Sequence, residues 1–207
     1  MTSKEFWGNS DNAKGWIRRA NLMRKAGDDS DQIVIKKIKD KFKSVLEVGA
    51  GNGRIIGGLS EKYNNIKCSS IDINANLSEY VEEKYNKVNV FGGSHNVSNL
   101  PIKDNSFDLV YTFQVLQHIL PEDIEQALSE LQRVAKKEVW LFEGWGNLEK
   151  WGLLNGHRRH KGDGGTFYWD LEKMVDCYST SFLKRQKKGE DNDTGIKLYK
   201  IRIKKRK

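Results

Sequence analysis

A glycine-rich turn set among carboxylates is the part of this chain best equipped for chemistry. An apolar, β-branched-rich run, Val45-Leu46-Glu47-Val48, enters Gly49-Ala50-Gly51-Asn52-Gly53-Arg54, and apolar residues then return at helical spacing as Ile55, Ile56 and Leu59. That order reads as a buried strand, a tight turn and a helix N-terminus. Free backbone amides there meet a nucleotide-like cofactor, and glycines let the backbone come close to it. A dinucleotide turn requires G-x-G-x-x-G, its last glycine letting helix and strand pack closely. Counted from Gly49 that place holds Arg54, and counted from Gly51 it holds Ile56, so the spacing disfavours a dehydrogenase. Asp72 ends a second apolar segment about twenty residues further on, where a carboxylate takes both ribose hydroxyls in a bidentate hydrogen bond. A helix-capping aspartate is the plainer alternative at that place.

The elements that must carry these residues alternate. Strands are expected at 44–48, 66–72, 88–91, 106–111 and 138–142, and helices at 53–63, 75–85 and 121–134, the last opened by Pro121. A helical segment over about 4–26 and a helix carrying Ile33, Val34 and Ile38, capped by Ser30 or Asp31, come before them. After Glu143 the pattern loosens. A short helix near 170–178 precedes two alternating segments, 181–188 and 195–204, whose turn-rich link (190–195) makes them an antiparallel hairpin. Strands alternating with helices require a mostly parallel sheet with helices on both faces, so the fold class is α/β. The 207 residues suit a single domain, with 1–30 as an N-terminal helical cap and 145–170 as a substrate-side insertion.

Composition bounds the rest. No stretch approaches a transmembrane helix and the N-terminus lacks a signal-peptide core, so a cytoplasmic protein without membrane insertion is expected. Cys68 and Cys177 share no motif and read as reduced thiols, and no metal-ligand spacing occurs. The net charge is +8, but much of the excess lies in Lys184-Arg185-Gln186-Lys187-Lys188 and in the terminal run from Lys200 to Lys207. Lysines on strand edges and a solvated tail account for it without a nucleic acid. Nothing in the sequence sets an oligomeric state.

The pattern E-x-G-x-G-x-G, Glu47 to Gly53, resembles motif I of the class I S-adenosylmethionine (SAM) dependent methyltransferases, in their type 11-like group. Leu100-Pro101 with Phe107-Asp108-Leu109-Val110 is similar to the group's L-P…F-D-x-V signature. Gln114-Val115-Leu116-Gln117-His118-Ile119 is similar to its V-L-x-H-[IV]. The likeness covers nearly the whole chain. It implies a Rossmann-like, mostly parallel seven-stranded sheet ending in an antiparallel hairpin, with SAM as cofactor and S-adenosylhomocysteine as product. It also implies a cofactor set. Glu47, Gly49, Ala50, Gly51 and Gly53 lie at the methionine portion, Asp72 and Ile73 at the ribose, and Asn96 and Val97 at the adenine. Gln114 lies near the methionine group or the substrate. The group usually carries Gly-Asp where this chain has His95-Asn96. Glu47 either bonds loop amides or reaches the cofactor's ammonium through water. Asp108 reads as structural.

Transfer of a methyl group from a sulfonium is an in-line displacement whose leaving group is already activated, so alignment of nucleophile, methyl and sulfur is the protein's main task. A general base is needed only for an alcohol or a protonated amine. Candidates are His118, which suits a loop-holding role better, His157, His160, and Glu143, at the carboxyl end of the fifth strand, where open α/β sheets present ligands. Glu143 is favoured for substrate orientation, with a turn cap as its alternative. The basic loop His157-Arg158-Arg159-His160, beside Trp145, is placed at the acceptor, where arginine can hold an anion. The leading expectation is a SAM-dependent methyltransferase acting at oxygen or nitrogen of a small or medium acceptor. An RNA methyltransferase, motivated by charge, and a non-catalytic SAM-binding regulatory protein are the alternatives.

Overall fold

In the computed structural model, residues 3–25, 29–38, 41–145, 167–184 and 195–204 are described. The apolar runs become strands β1 (Ser44–Val48), β2 (Lys67–Ile71), β3 (Val88–Phe91), β4 (Phe107–Phe113), β5 (Ala135–Trp145), β6 (Tyr178–Lys184) and β7 (Gly195–Arg202). They form one sheet in the order β3-β2-β1-β4-β5-β7-β6. The first five run parallel, while β7 lies antiparallel between β5 and β6. Four of the five β1 residues are buried, as a strand covered on both faces requires. The strand order reverses beside β1, so the turns after β1, β2 and β4 meet at one end of the sheet, the switch point where α/β proteins bind ligands.

Helices α1 (Ser3–Gly8), α2 (Ser10–Lys25), α3 (Ser30–Ile38), α4 (Arg54–Lys62), α5 (Ala75–Lys84), α6 (Ile124–Val134) and α7 (Leu171–Met174) supply the covering layers. One core packs Val34, Ile35 and Ile38 of α3 and Ile55, Ile56 and Leu59 of α4 on Leu109, Trp140 and Phe142. The other packs Ala127, Leu128 and Leu131 of α6, with Phe167 and Trp169, on Val110, Val139 and Leu141. Trp140, Tyr111 and Phe142 are the largest fully buried side chains. Truncating a buried aromatic of this size costs about 3–5 kcal/mol.

Several boundaries differ from the sequence expectation. The N-terminal helical segment breaks at Asn9, whose carbonyl is used elsewhere. Helix α6 starts at Ile124, because Asp123 N–H first closes a turn on the Leu120 carbonyl (3.0 Å) and leaves Pro121 outside. Strand β5 follows α6 without a loop. Ala135 already pairs with Phe107, and a bulge on β4–β5 absorbs the polar residues before Glu138. Helix α7 is a single turn, and the hairpin strand β6 begins at Tyr178, three residues earlier than its pattern. The 190–194 link lies outside the described residues.

Candidate cofactor and methyl-transfer site

The glycine turn is stitched to its neighbours by backbone and carboxylate. Gly49 N–H and Ala50 N–H both point at the Ile71 carbonyl (2.9 and 3.4 Å), joining the ends of β1 and β2. Gly49 and Gly51 have φ of 74° and 57°, a left-handed backbone that L side chains resist. A Cβ at Gly51 would also come within 2.8 Å of Trp16 Nε1, so the indole of α2 lies directly over the turn.

Asp72 accepts from Gly51 N–H (2.8 Å) on Oδ2 and from Asn74 N–H (2.9 Å) on Oδ1. Burial raises its pKa, opposed by the Asn74 and Gly51 amides. Each carboxylate oxygen keeps a lone pair beyond those bonds, so the group can also receive a vicinal diol. Ile73 follows, its carbonyl accepting from Ser94 Oγ (2.5 Å), and His95 N–H donates to the Asp72 carbonyl (3.0 Å). Asn96 turns its side-chain oxygen to Ser98 N–H (3.1 Å), and Val97 is buried beside it.

Trp7, Val48, Gly49, Ile73, Asn96, Val97, Val115 and His118 together enclose a cavity of about 70 Å³. Its walls are mostly apolar, with Asn96, His95, His118 and Asp123 as the polar side chains. The volume is well below the roughly 300 Å³ at which ligand pockets begin. His118 forms one wall, its ring 4.5 Å from that of Trp7 and one ring nitrogen 3.2 Å from Gln117 Nε2. A larger groove of about 1050 Å³ lies between α6 and the end of β7, at the opposite end of the strands, and contains none of these residues.

The two strand-end glutamates point inward. Glu47 is 2% exposed and accepts from Ile56 N–H (3.0 Å), tying β1 to the first turn of α4, where Gly53 supplies no side-chain cap. Burial pushes its carboxyl up to about 8, against the Tyr111 hydroxyl and the Ile56 amide. The Ile56 bond is the loop contact, one of the two roles read from the sequence. Glu143, 3% exposed, accepts from Thr112 Oγ1 (2.7 Å), Val115 N–H (3.2 Å) and Leu116 N–H (3.2 Å). Burial pushes it up to about 7, opposed by those donors. The carboxylate caps the turn after β4 and does not face the cavity.

That turn is held from other sides as well. Gln114 N–H donates to the Phe142 carbonyl (2.8 Å) with φ of 56°, a strained conformation for a residue with a side chain. Phe167 N–H donates to the Gln117 carbonyl (2.7 Å), and Trp169 Nε1 donates to the Leu116 carbonyl (2.7 Å). Phe167 and Trp169 are therefore core residues that brace the site. The backbone of Trp145 ends β5 opposite Gly195. The Trp145 side chain, His157, Arg158 and His160 lie outside the described residues.

Sequence reasoning missed the residues that hang the cap over the site. Asn74 Oδ1 accepts from Asn76 N–H (3.1 Å) and Leu77 N–H (3.3 Å), capping α5. Its Nδ2 donates to the carbonyls of Trp7 (2.8 Å) and Asn9 (3.0 Å) at the α1–α2 break. The capping half was legible from an asparagine before a helix; the partners more than sixty residues away were not.

A family model described as a methyltransferase domain matches residues 46–142. The chain is 33% identical over 107 residues to an uncharacterised protein of Methanocaldococcus jannaschii, covering 51% of this chain and 42% of that one. It is 24% identical over 153 residues to a tRNA N(3)-cytidine methyltransferase of Mus musculus (66% and 39% covered). It is 29% identical over 136 residues to a 2-phytyl-1,4-naphthoquinone methyltransferase of Nostoc (63% and 54%). The matches thus span about half or less of these relatives. In fold, a TehB-like SAM-dependent methyltransferase from Corynebacterium glutamicum superposes with a TM-score of 0.63 at 18% identity, over 92% of this chain and 98% of that one. The glycine turn and, Trp7 apart, the lining of the switch-point cavity fall within the segment that matches this methyltransferase-domain model, and the chain shares the fold of that solved SAM-dependent methyltransferase.

Proposed function

We propose that the chain transfers a methyl group from SAM to an oxygen or nitrogen of a small or medium acceptor and releases S-adenosylhomocysteine. The observation that supports this most is the Asp72 carboxylate bridging the Gly51 and Asn74 amides, one residue before Ile73 in the cavity wall. In this reading Asp72 also receives the ribose hydroxyls, Ile73, Asn96 and Val97 border the adenine, and the turn from Gly49 to Gly53 faces the methionine portion. Gln114 stands where the methionine group and acceptor meet. The cofactor supplies the electrophilic methyl on a sulfonium. The protein's own share is alignment, and a base enters only for an acceptor that must lose a proton.

Glu143 acts here as a positioning residue for the turn at 114–118, since Thr112, Val115, Leu116 and Gln117 all supply its donors. His118, in the cavity wall, is the nearer candidate for direct contact. Trp145, His157 and Arg158 are kept as the acceptor side of the proposal. Calorimetric binding of SAM and S-adenosylhomocysteine, with transfer of labelled methyl into an acceptor panel, tests the reading; Gly51→Arg serves as the inactive control. Absence of binding by either compound would overturn it. RNA as acceptor is the second reading, favoured by the tRNA-methylating mouse relative and by a cationic sheet face.

A further inference from the structure

One face of strand β7 changes from apolar to cationic along its length. Ile196 and Leu198 on that face are buried, but Lys200 and Arg202 further along it are not. Lys200 pairs across to Trp140 on β5 and to Tyr178 on β6, so its side chain stands between two aromatic rings. Its Nζ lies 4.4 Å from the Trp140 ring centre and 5.8 Å from that of Tyr178. The Arg202 guanidinium lies 5.3 Å from the Tyr178 ring, and Lys41, just before β1, lies 5.4 Å from the Trp140 ring. Trp140 is buried; Tyr178 is 42% exposed, one of only two large hydrophobics so exposed among the described residues.

The charges here are not balanced locally. Among the described residues no ion pair reaches Lys41, Lys200 or Arg202, whereas nearby Lys137 and Lys204 are paired with Asp108 and Asp176. Among the described residues Glu138 is the carboxylate that faces the cluster, and it accepts from Trp140 Nε1 (2.5 Å). Burial and the crowding of Lys41, Lys37 and Arg202 hold the Lys200 ammonium below its ordinary pKa, against Glu138. An anion brought to this face relieves that crowding. A single exposed ring flanked by cations on a flat sheet suits a strand with phosphates about its edge and an unstacked base on its face. It does not suit a lipid surface, which needs a broader apolar anchor.

We propose that this face of β5, β7 and β6 docks single-stranded RNA, with Lys200 and Arg202 on phosphates and Tyr178 stacking a base. The surface lies toward the N-terminal ends of the parallel strands, with Lys200 opposite Trp140 while the methyl-transfer site lies beyond Glu143. Docking therefore needs no cofactor, and its test is independent of the methyltransferase reading.

The test is fluorescence anisotropy of a labelled oligouridylate of about 12 nucleotides, within the site sizes of such surfaces, with the full chain and no cofactor. Binding is expected at low salt, with log K falling against log[salt] by about 0.7 per phosphate contacted. Lys200→Gln with Arg202→Gln is expected to flatten that slope by about 1.4, two contacts' worth. Tyr178→Ala is expected to weaken binding about tenfold and leave the slope unchanged. Lys87→Glu, at the opposite edge of the sheet, is the control and should bind as the parent does. Thermal melting of each variant separates lost docking from lost folding, and Tyr178→Ala carries the test should the paired variant melt early. No binding at low salt, equal loss in the Lys87 control, or an unchanged slope in a folded double variant would overturn the proposal. So would phosphatidylserine vesicles that bind through Lys200 and Arg202 while RNA does not.

Discussion

Replacing Glu143 by glutamine separates the structural from the chemical reading of that residue. With its carboxyl raised to about 7 from the usual 4.5, the folded protein binds a proton between those values that the unfolded chain has released. The contribution is therefore fully present below pH 4.5 and is lost as pH rises through 7. From pH 5 to pH 8 the parent loses roughly 2–3 kcal/mol through this one group, at about 1.4 kcal/mol per unit. Glutamine does not titrate. At pH 5 the neutral acid and the amide are near isosteres, and the amide can still donate to Thr112 Oγ1 and accept from Leu116 N–H. It orphans Val115 N–H, whose bond is the longer 3.2 Å contact on Oε1, at a cost of about 1 kcal/mol. Glu143→Gln should thus melt slightly below the parent at pH 5 and level with or above it at pH 8. The relative shift is roughly 5–10 °C at this chain length. Calorimetric melting of both proteins at half-unit pH steps reads it directly. A gap that stays constant or widens between pH 5 and pH 8 would refute the reasoning. Methyl transfer, once an acceptor is in hand, should fall less than about tenfold if the group only positions the turn.

Three further expectations follow the site outward. Gly51→Ala places a Cβ at φ of 57° and within 2.8 Å of Trp16 Nε1, so titration calorimetry should show SAM affinity reduced at least about tenfold, with 1–2 kcal/mol of stability lost. Asn74→Ala removes the α5 cap and both tethers to the α1–α2 break. It should cost about 1–2 kcal/mol in denaturant melts and make the first 25 residues the earliest site of limited proteolysis. Arg133→Ala removes donors to the carbonyls of Ile102 (2.6 Å) and Leu100 (3.0 Å) and the ion pair to Glu130. Hydrogen exchange should rise first in residues 100–106, with global stability down by about 2–3 kcal/mol.

Sequence alone carried the sheet and the glycine turn because both are local. The glycine spacing, the apolar run before it and Asp72 lie within one strand–turn–helix–strand unit. It failed on Ala135-Lys136-Lys137, where a strand continues from a helix through polar residues and only pairing with β4 keeps it extended. It also left open which way Glu47 and Glu143 point. In strands buried on both faces no polar alternation marks an outward side, so a carboxylate at the strand end carries no direction until its donors are known. Those donors, Ile56 for one and Thr112, Val115 and Leu116 for the other, come from elements whose approach is tertiary. The bonds from Asn74 to Trp7 and Asn9 span 67 and 65 residues and leave no periodic trace.

Asn74 sits two residues beyond Asp72, so the tether of the cap and the Asp72 carboxylate share one short piece of backbone. Any ligand that braces that backbone must favour the docked cap, and a docked cap must raise the ligand's affinity by the same factor. Two tethers of about 0.5–1.5 kcal/mol each limit that factor to roughly 5–160. The N-terminal helices are thereby an effector of the cofactor site built into the same chain. A partner that pulled α1 and α2 away would lower cofactor affinity without touching a single residue of the pocket floor.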